Sequence, residues 1–177
     1  MRSLAHCRWG EEGEEGEEED GEEFPGLLGH GEGVLQLKTP TCLPSLLGGE
    51  RAIGVAASGF FSLALTADGA VWSWGCGGLG MLGHGDEQDQ SRPKKIEAFA
   101  GQRVVAVSAA LSHVLAITAD GSAWSWGDGE PGQLGHGDRQ DQLEPTKVEA
   151  LAGQRVIAVA AGWTTSLALT ADGGVWS

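Results

Sequence analysis

Alternating apolar and small or polar positions predict short β-strands over most of the chain. In RVVAVSA (103–109), β-branched residues alternate with small ones, which favours a strand. HVLAIT (113–118) predicts a second strand and SAWSW (122–126) a third. The Asp-Gly pair between the second and third strands predicts a tight hairpin, because glycine accepts positive φ. Pro145 is expected to open a last short strand, TKVEAL (146–151), since an edge strand tolerates proline.

This pattern recurs with a period of 52 residues. Residues 51–102 match residues 103–154 at 30 of 52 positions without a gap, and residues 103–125 match 155–177 at 13 of 23. Head-to-tail repetition of a three- or four-stranded unit is typical of β-propeller blades. We therefore predict an all-β fold, a partial β-propeller of antiparallel four-stranded blades.

The predicted organisation is a series of blade repeats that follows a degenerate copy. Residues 51–102 and 103–154 are complete repeats, and 155–177 is a truncated third. Upstream, the sequence LGHG occurs at positions 28–31 as it does in the later repeats. We interpret residues 1–10 as the start of a degenerate repeat and residues 24–50 as its end.

Residues 11–23 carry most of the negative charge. The formal net charge of the chain is −14, and this segment holds nine Glu and one Asp with no basic residue. Such a run repels itself and buries no apolar surface, which predicts a disordered, solvated insertion. It is either a tolerated low-complexity insertion or a docking strip for a basic partner such as a histone tail. Direct nucleic-acid binding is disfavoured because no basic stripe is present.

Composition argues against several other classes of protein. No apolar run approaches the roughly 18 residues of a membrane-spanning helix, so no membrane partner is expected. Cys7, Cys42 and Cys76 are odd in number and far apart, so we expect neither a disulfide framework nor a zinc site. An intracellular protein is expected, cytoplasmic rather than nuclear because no basic import cluster is visible.

Two segments of the repeat identify a resemblance. The first is VAAGWTTSLALTADGGVWS (159–177), and the second is GEPGQLGHG (129–137). Both resemble the regulator of chromosome condensation repeat, strongly over residues 51–177 and weakly over 24–50. The resemblance implies a ring of about seven blades, of which this chain holds about three. We expect either a fragment of a longer gene product or an arc whose open blade edges permit self-association.

The same resemblance implies a protein-interaction module. Family members regulate small GTPases by nucleotide exchange, so a small GTPase is one implied partner. The alternatives are the substrate-recognition propeller of a larger ubiquitin ligase or scaffold protein, and a non-functional gene fragment. Some positions depart from the family pattern: its second-strand histidine appears as His113 but is replaced by Phe61 and Thr165, and Met81 replaces a glutamine. These departures indicate relaxed or specialised blades.

The residues that repeat are interpreted as structural. Tryptophans two apart share one strand face, which favours inter-blade packing over a stacking platform for a sugar or peptide. The histidines of the LGHG motifs belong to different repeats, so we favour a structural role over metal binding. The glycine-rich loops lack the G-K-[ST] that a phosphate site requires. The signature comprises Trp72, Trp74, Gly83, His84, Gly85, Trp124, Trp126, Gly135, His136 and Gly137, and the histidine set also includes His30.

Trp163 is the candidate partner contact, because it lies in a predicted turn where the other repeats have Gly59 and Leu111. Aspartates that recur in every loop are interpreted as turn caps rather than as a catalytic pair. These are Asp86, Asp89, Asp138 and Asp141. We predict no catalytic residue, no cofactor and no metal ligand, and hence a protein that is not an enzyme.

Overall fold

The computed structural model describes residues 28–31, 38–39, 41–43 and 49–177. The predicted repeat fragment 1–10 and the acidic segment 11–23 lie outside these residues. The interpretations of those two segments therefore stay predictions.

The described strands form three separate antiparallel sheets, one for each repeat. Blade 1 contains, in spatial order, β1 (Ala52–Ala57), β2 (Phe61–Thr66), β3 (Val71–Gly75) and β4 (Gln90–Lys95). Blade 2 contains β5 (Val104–Ala109), β6 (His113–Thr118), β7 (Ala123–Gly127) and β8 (Gln142–Lys147). Blade 3 contains β9 (Val156–Ala161), β10 (Ser166–Thr170) and β11 (Val175–Trp176). The predicted all-β architecture with antiparallel four-stranded blades is confirmed.

Helical structure in the described residues is confined to short 3-10 turns at Gly78–Gly80, Glu97–Phe99 and Glu149–Leu151. None of the helices in this part of the chain has the length and apolar character needed to cross a bilayer.

The outer strand of blade 2 corrects the sequence prediction. It runs over Gln142–Lys147 rather than 146–151, and Glu149–Leu151 forms a 3-10 turn instead. In the ladder with β7, Thr146 pairs with Ser125 and Gln142 pairs with Gly127, and the register is irregular between these two pairs. Pro145 lies in this irregular stretch of an edge strand, where its missing N–H costs no ladder bond.

A Thr-Ala-Asp-Gly turn closes the hairpin between the second and third strands of each blade. In blade 2 the Thr118 hydroxyl lies 2.6 Å from Asp120 Oδ1, which also accepts the Ser122 backbone N–H at 3.1 Å. These hydrogen bonds lower the pKa of Asp120 to about 2, and the bond from Thr118 has the largest effect. The same Thr–Asp bond, also 2.6 Å long, recurs at Asp68 and Asp172.

The glycine of this turn joins one blade to the next. Gly69 has φ +91°, and its carbonyl accepts the Val104 backbone N–H at 3.1 Å. A Cβ on Gly69 would meet the Arg103 side chain and would lie 3.1 Å from the Val104 nitrogen. The Gly121 carbonyl accepts the Val156 N–H at 2.9 Å in the next pair of blades. Only glycine fits here, because the site demands both positive φ and close backbone approach.

A tryptophan forms the second link between blades. The fully buried Trp126 of blade 2 donates its Nε1–H to the Met81 carbonyl of blade 1 at 3.1 Å. A Cβ on Gly83 would lie 2.9 Å from Trp126 Nε1, and Phe99 packs edge-on against the ring at 5.8 Å. We call this set, comprising the Met81 carbonyl with Gly83, Ile96 and Phe99, an indole cradle. Burying an indole contributes about 4–6 kcal/mol of hydrophobic free energy.

The upstream LGHG segment occupies the equivalent position against blade 1. A Cβ on Gly29 would lie 2.9 Å from Nε1 of Trp74, as Gly83 relates to Trp126. The Gly31 N–H donates to the Ser91 carbonyl at 2.9 Å, as the Gly85 N–H donates to that of Leu143 at 2.9 Å. Residues 28–31 therefore supply to blade 1 the glycine of an equivalent indole cradle.

A histidine fastens each long loop to its own blade. The Ser73 hydroxyl donates its one hydrogen to the Leu82 carbonyl at 2.7 Å, so His84 Nε2–H must donate to Ser73 Oγ, 3.0 Å away. Burial, with a smaller contribution from the Lys94 charge, lowers the pKa of His84 from 6.5 to about 4. His136 makes the same bond to Ser125 at 2.9 Å, and burial lowers its pKa too.

Two of the cysteines lie among the described residues. Cys42 is free and exposed, and Cys76 is buried and disulfide-bonded. One bonded cysteine does not make a disulfide framework, so the expectation that the chain lacks such a framework stays a prediction.

Replacing Gly69 with alanine should cost more stability than the same change at Gly101. Both residues have positive φ, +91° and +81°, so each alanine pays a backbone penalty of about 1–2 kcal/mol. Only the Gly69 methyl also meets the next blade, whereas the Gly101 methyl meets nothing within 4 Å. Urea unfolding should give Gly69→Ala an additional loss of about 1–3 kcal/mol. Equal losses in the two variants would contradict the inter-blade contact.

Acid should destabilise the chain through its loop histidines. His84 stays neutral in the fold but gains a proton in the unfolded chain below its ordinary pKa of 6.5. The free energy of unfolding should therefore fall as pH falls from 6.5 towards about 4, the folded-state pKa. Urea titrations across this range should show a shallower dependence for His84→Asn. An unchanged pH dependence in that variant would contradict the assignment.

Candidate protein-interaction surface

The loops of the described blades fall on two opposite faces. One face, here called the loop face, carries the turns between the first and second strands and the long loops 76–89 and 128–141. The two kinds of loop are bonded together: the Cys76 N–H donates to the Phe60 carbonyl and the Asp128 N–H to the Ser112 carbonyl, both at 2.9 Å. The opposite face carries the Thr-Ala-Asp-Gly turns and the connections between blades.

Trp163 lies on the loop face. It is 75% exposed in the turn between β9 and β10, which the Gly162 N–H closes by donating to the Thr165 carbonyl at 2.9 Å. At the equivalent position of blade 2, Leu111 is half-buried and packs against the core. The structure thus places the candidate contact in a hydrogen-bonded turn with its ring in solvent. Its role in binding stays a prediction.

The long loops make the loop face acidic. Over 76–89 and 128–141 they contain seven acidic residues and one basic residue, Arg139. Their aspartates also shape the loops: Asp89 accepts the Gly77 N–H at 2.8 Å, and Asp141 accepts the Gly129 N–H at 2.9 Å. Asp86 and Asp138 accept backbone N–H groups two residues on, at 3.0 and 3.1 Å. These bonds agree with the interpretation of the aspartates as turn caps.

The signature residues lie between the blades or within the loops. Trp74 and Trp126 are buried in the indole cradles built on Gly29 and Gly83. Trp124 is half-buried, packs edge-on against Phe99 at 5.6 Å and donates to the Thr118 hydroxyl at 3.1 Å. The other signature members sit as follows: Trp72 half-buried on β3, His84 and His136 bonded to serines, Gly85 bonded to the next blade, and Gly135 and Gly137 exposed.

The Ser–His bonds were missed in the sequence, although each His follows its Ser by eleven residues in both complete repeats. Ser73 and Ser125 are fully buried, and each hydroxyl donates to a backbone carbonyl. They are therefore not placed to act as nucleophiles. Among the described residues, no group of three or more His, Cys, Asp or Glu side chains is arranged to hold a metal ion.

The interface between blades 2 and 3 contains a buried polar chain. The Ser166 hydroxyl donates its hydrogen to the backbone carbonyl of Gln133 at 2.7 Å. It therefore accepts a hydrogen bond from the His113 Nε2–H group, 2.9 Å away. Burial lowers the pKa of His113, which favours the neutral ring. One repeat earlier, the same three positions are apolar and fully buried: Phe61, Met81 and Val114. The sequence signal was available, since all three positions change character together.

The outward face of blade 3 is exposed where its counterparts are covered. Leu167 is 45% exposed, whereas the equivalent Leu115 and Leu63 are 6% and 0% exposed. Val175 is 71% exposed, whereas Ala123 and Val71 are 5% and 0% exposed. The face that each earlier blade presents to its successor is therefore open on blade 3. Self-association through it, which the sequence suggested, stays a prediction.

Comparison with known proteins gives consistent matches. The repeat described as "Regulator of chromosome condensation (RCC1) repeat" matches residues 68–117 and 120–169, and a second profile of that description matches 52–80 and 104–133. The human E3 ubiquitin-protein ligase HERC2 is 40% identical over 159 residues, which is 89% of this chain but 3% of HERC2. The ultraviolet-B receptor UVR8 of Arabidopsis thaliana is 39% identical over 152 residues, 86% of this chain and 34% of UVR8.

A solved structure agrees with these matches. Prp20p of Saccharomyces cerevisiae, described with its binding properties to Gsp1p and histones, superposes with a TM-score of 0.67 at 29% identity. The superposition covers 80% of this chain and 35% of Prp20p. The chain thus spans about a third or less of the length of each of these relatives. Because the family repeat covers more than half of the chain and its blades have been described above, the chain belongs to the regulator of chromosome condensation (RCC1) repeat family.

Proposed function

We propose that this chain is a protein-interaction module whose loop face binds a basic surface of another protein. The observation that carries the proposal is the exposed Trp163 on the same face as loops that hold seven acidic residues and one basic residue. An aromatic anchor surrounded by polar groups is the usual anatomy of a binding hot spot. Acidic loops would add long-range attraction for a basic partner and speed association.

The architecture supports this role energetically. Trp163 has few rotatable bonds, and its turn is already closed by a backbone hydrogen bond, so binding would order little additional structure. The acidic loops are held by their own aspartate caps and by the Ser–His bonds. A preformed surface of this kind retains more of its contact energy as affinity.

Regulation of a small GTPase is the finer form of the proposal. It draws support from Prp20p, which shares the fold over 80% of this chain and was described with its binding to Gsp1p and histones. Nucleotide exchange needs no covalent chemistry, because a partner that binds the nucleotide-free GTPase more tightly shifts the equilibrium towards nucleotide release. Nucleotide exchange by this mechanism requires only a preformed binding surface.

Substrate recognition within a ubiquitin ligase is the second candidate. It draws support from HERC2, which matches 89% of this chain at 40% identity. The matched region is 3% of HERC2, so in such a protein these repeats would select a partner while other domains performed the transfer.

Replacing Trp163 with serine should weaken binding of a basic protein partner. Histones and Gsp1p are suitable probes, because both are partners of the related Prp20p. If Trp163 is the anchor, its loss should cost at least about 2 kcal/mol, or roughly thirtyfold in Kd, by isothermal titration calorimetry. Unfolding stability should stay within about 0.5 kcal/mol of the parent, because the ring is 75% exposed.

Val55→Ser is the matched control for that experiment. Val55 is 79% exposed on β1, away from the loop face, so its replacement should leave Kd unchanged. Equal Kd values for the parent and Trp163→Ser with every probe would exclude the loop face as the binding surface.

The dependence on nucleotide state separates the two candidate functions. An exchange regulator should bind nucleotide-free Gsp1p at least about tenfold more tightly than GDP-loaded Gsp1p and should accelerate release of a fluorescent GDP analogue. A substrate-recognition module has no reason to show this preference. Equal affinity for both states, with no accelerated release, would remove the exchange function and leave protein recognition.

A further inference from the structure

The outer strand of blade 1 carries a cluster of positive charge. β4 holds Arg92, Lys94 and Lys95 and no acidic residue, and all three basic side chains are exposed. The first strands of neighbouring blades contact each other, β1 with β5 and β5 with β9, which places β4 on the outer rim. A rim strand presents its side chains to solvent in an array with any number of blades.

Two of these bases are particular to blade 1. At the equivalent positions of β8, 52 residues on, Glu144 replaces Arg92 and Thr146 replaces Lys94. The third base recurs as Lys147 and so belongs to the repeat. Arg92 and Lys94 lie two positions apart on the strand, so their side chains leave it on the same side.

The charges of Arg92 and Lys94 are not neutralised by neighbours. In the part of the chain that the structure describes, neither side chain forms a hydrogen bond or an ion pair. Their Cα atoms lie roughly 7 Å apart along the strand, a spacing that two carboxylates of an extended acidic segment can match. A guanidinium binds a carboxylate through two parallel hydrogen bonds, and an ammonium adds a point charge. The pair is therefore suited to an acidic peptide.

The segment that follows the acidic run of the chain lies directly against Arg92. The Gly31 N–H donates to the Ser91 carbonyl at 2.9 Å, and a Cβ on Gly31 would lie 2.9 Å from Arg92 Nε. The acidic run, residues 11–23, ends eight residues before Gly31, and eight residues span at most about 29 Å. The six-residue β4 is about 20 Å long, so the run is tethered within reach of its bases.

We propose that the acidic segment 11–23 binds in cis along the outer strand of blade 1, with Arg92 and Lys94 as its principal contacts. The segment holds nine Glu and one Asp with no basic residue, so its charge is complementary to that of β4. A short tether gives an effective concentration in the millimolar range, so individually weak carboxylate contacts suffice. The rim is separate from the loop face, and the proposal does not rest on the proposed function.

Net charge favours the chain itself over another molecule as the source of the acidic segment. The chain has a formal net charge of −14, so a second copy or another acidic protein approaches β4 against long-range repulsion. The tethered segment also loses no translational freedom on binding. An acidic partner therefore has to displace the segment before it reaches the bases of β4.

Zero-length cross-linking tests this contact in the full chain. A carbodiimide joins a lysine to a carboxylate only where the two groups meet. Mass spectrometry of the monomer fraction should find Lys94 joined to residues 11–23. The yield should fall at least about fivefold in 1 M NaCl, where the screening length is about 3 Å.

Arg92→Glu and Arg139→Glu are matched variants for that measurement. Each replaces an exposed arginine by the residue of the other complete repeat at that position, Glu144 or Glu87, and each changes the charge equally. Both variants should fold, because the equivalent position already accommodates glutamate. Cross-linking of Lys94 to the acidic segment should fall at least about fivefold in Arg92→Glu and stay within about twofold in Arg139→Glu.

A peptide tests whether the segment occupies β4 in the parent chain. Fluorescent acetyl-EEGEEGEEEDGEE-amide reproduces residues 11–23. At low ionic strength it should bind at least about tenfold more tightly to a full chain whose ten acidic residues in that segment are changed to amides, because the tethered competitor is lost. In that background Arg92→Glu should weaken binding at least about fivefold, and Arg139→Glu at most about twofold.

Four results would overturn the proposal. The first is a monomer without cross-links between Lys94 and the segment, and the second is equal peptide affinity for the parent and the amide variant. Equal losses in Arg92→Glu and Arg139→Glu would assign the attraction to overall charge rather than to β4. Cross-links confined to a dimer fraction that disappears on dilution would assign the segment to a second copy of the chain.

Discussion

Each blade of this protein depends on its neighbour to bury one face. Both faces of a propeller sheet are apolar, and a four-stranded sheet alone cannot cover either of them. The chain solves this with a repeated contact in which an indole of one blade lies against a glycine turn of the preceding blade. The Trp126–Gly83 contact combines ring burial, a hydrogen bond to the Met81 carbonyl and a backbone shape that only glycine allows. On blade 3 the equivalent apolar side chains, Leu167 and Val175, are exposed to solvent.

The two complete interfaces between blades satisfy this constraint with different chemistry. Between blades 1 and 2 the central positions are Phe61, Met81 and Val114, whose side chains are apolar and pack without hydrogen bonds of their own. Between blades 2 and 3 the same positions hold His113, Gln133 and Ser166, linked by hydrogen bonds of 2.7 and 2.9 Å. Replacing Ser166 with an apolar residue such as valine would leave the buried imidazole of His113 without its partner, at a cost of about 1–3 kcal/mol. The blades are thus alike in backbone but not interchangeable, and a buried polar chain of this kind favours one order of blades.

Much of the fold could be predicted because local chemistry determines it. The Thr-Ala-Asp-Gly turns form the same bonds in all three blades, so their recurrence in sequence correctly located three hairpins. The outer strand of blade 2 could not be placed, because its ladder is irregular around Pro145 and depends on contacts with β7. The Ser73–His84 bond was not predicted, although its eleven-residue spacing recurs, because the sequence alone does not show which side chains meet across a long loop. Trp163 was singled out by its difference from Gly59 and Leu111, but its exposure depends on tertiary packing.

The contrast between repeated and unrepeated positions separates scaffold from candidate recognition surface. Residues that recur every 52 positions, such as His84 and His136, are engaged in bonds within their own blade. Trp163 has no aromatic counterpart in the other blades, and the fold gains little from its exposed ring. The repeated positions thus build the blades, whereas the proposed recognition surface rests on the unrepeated Trp163.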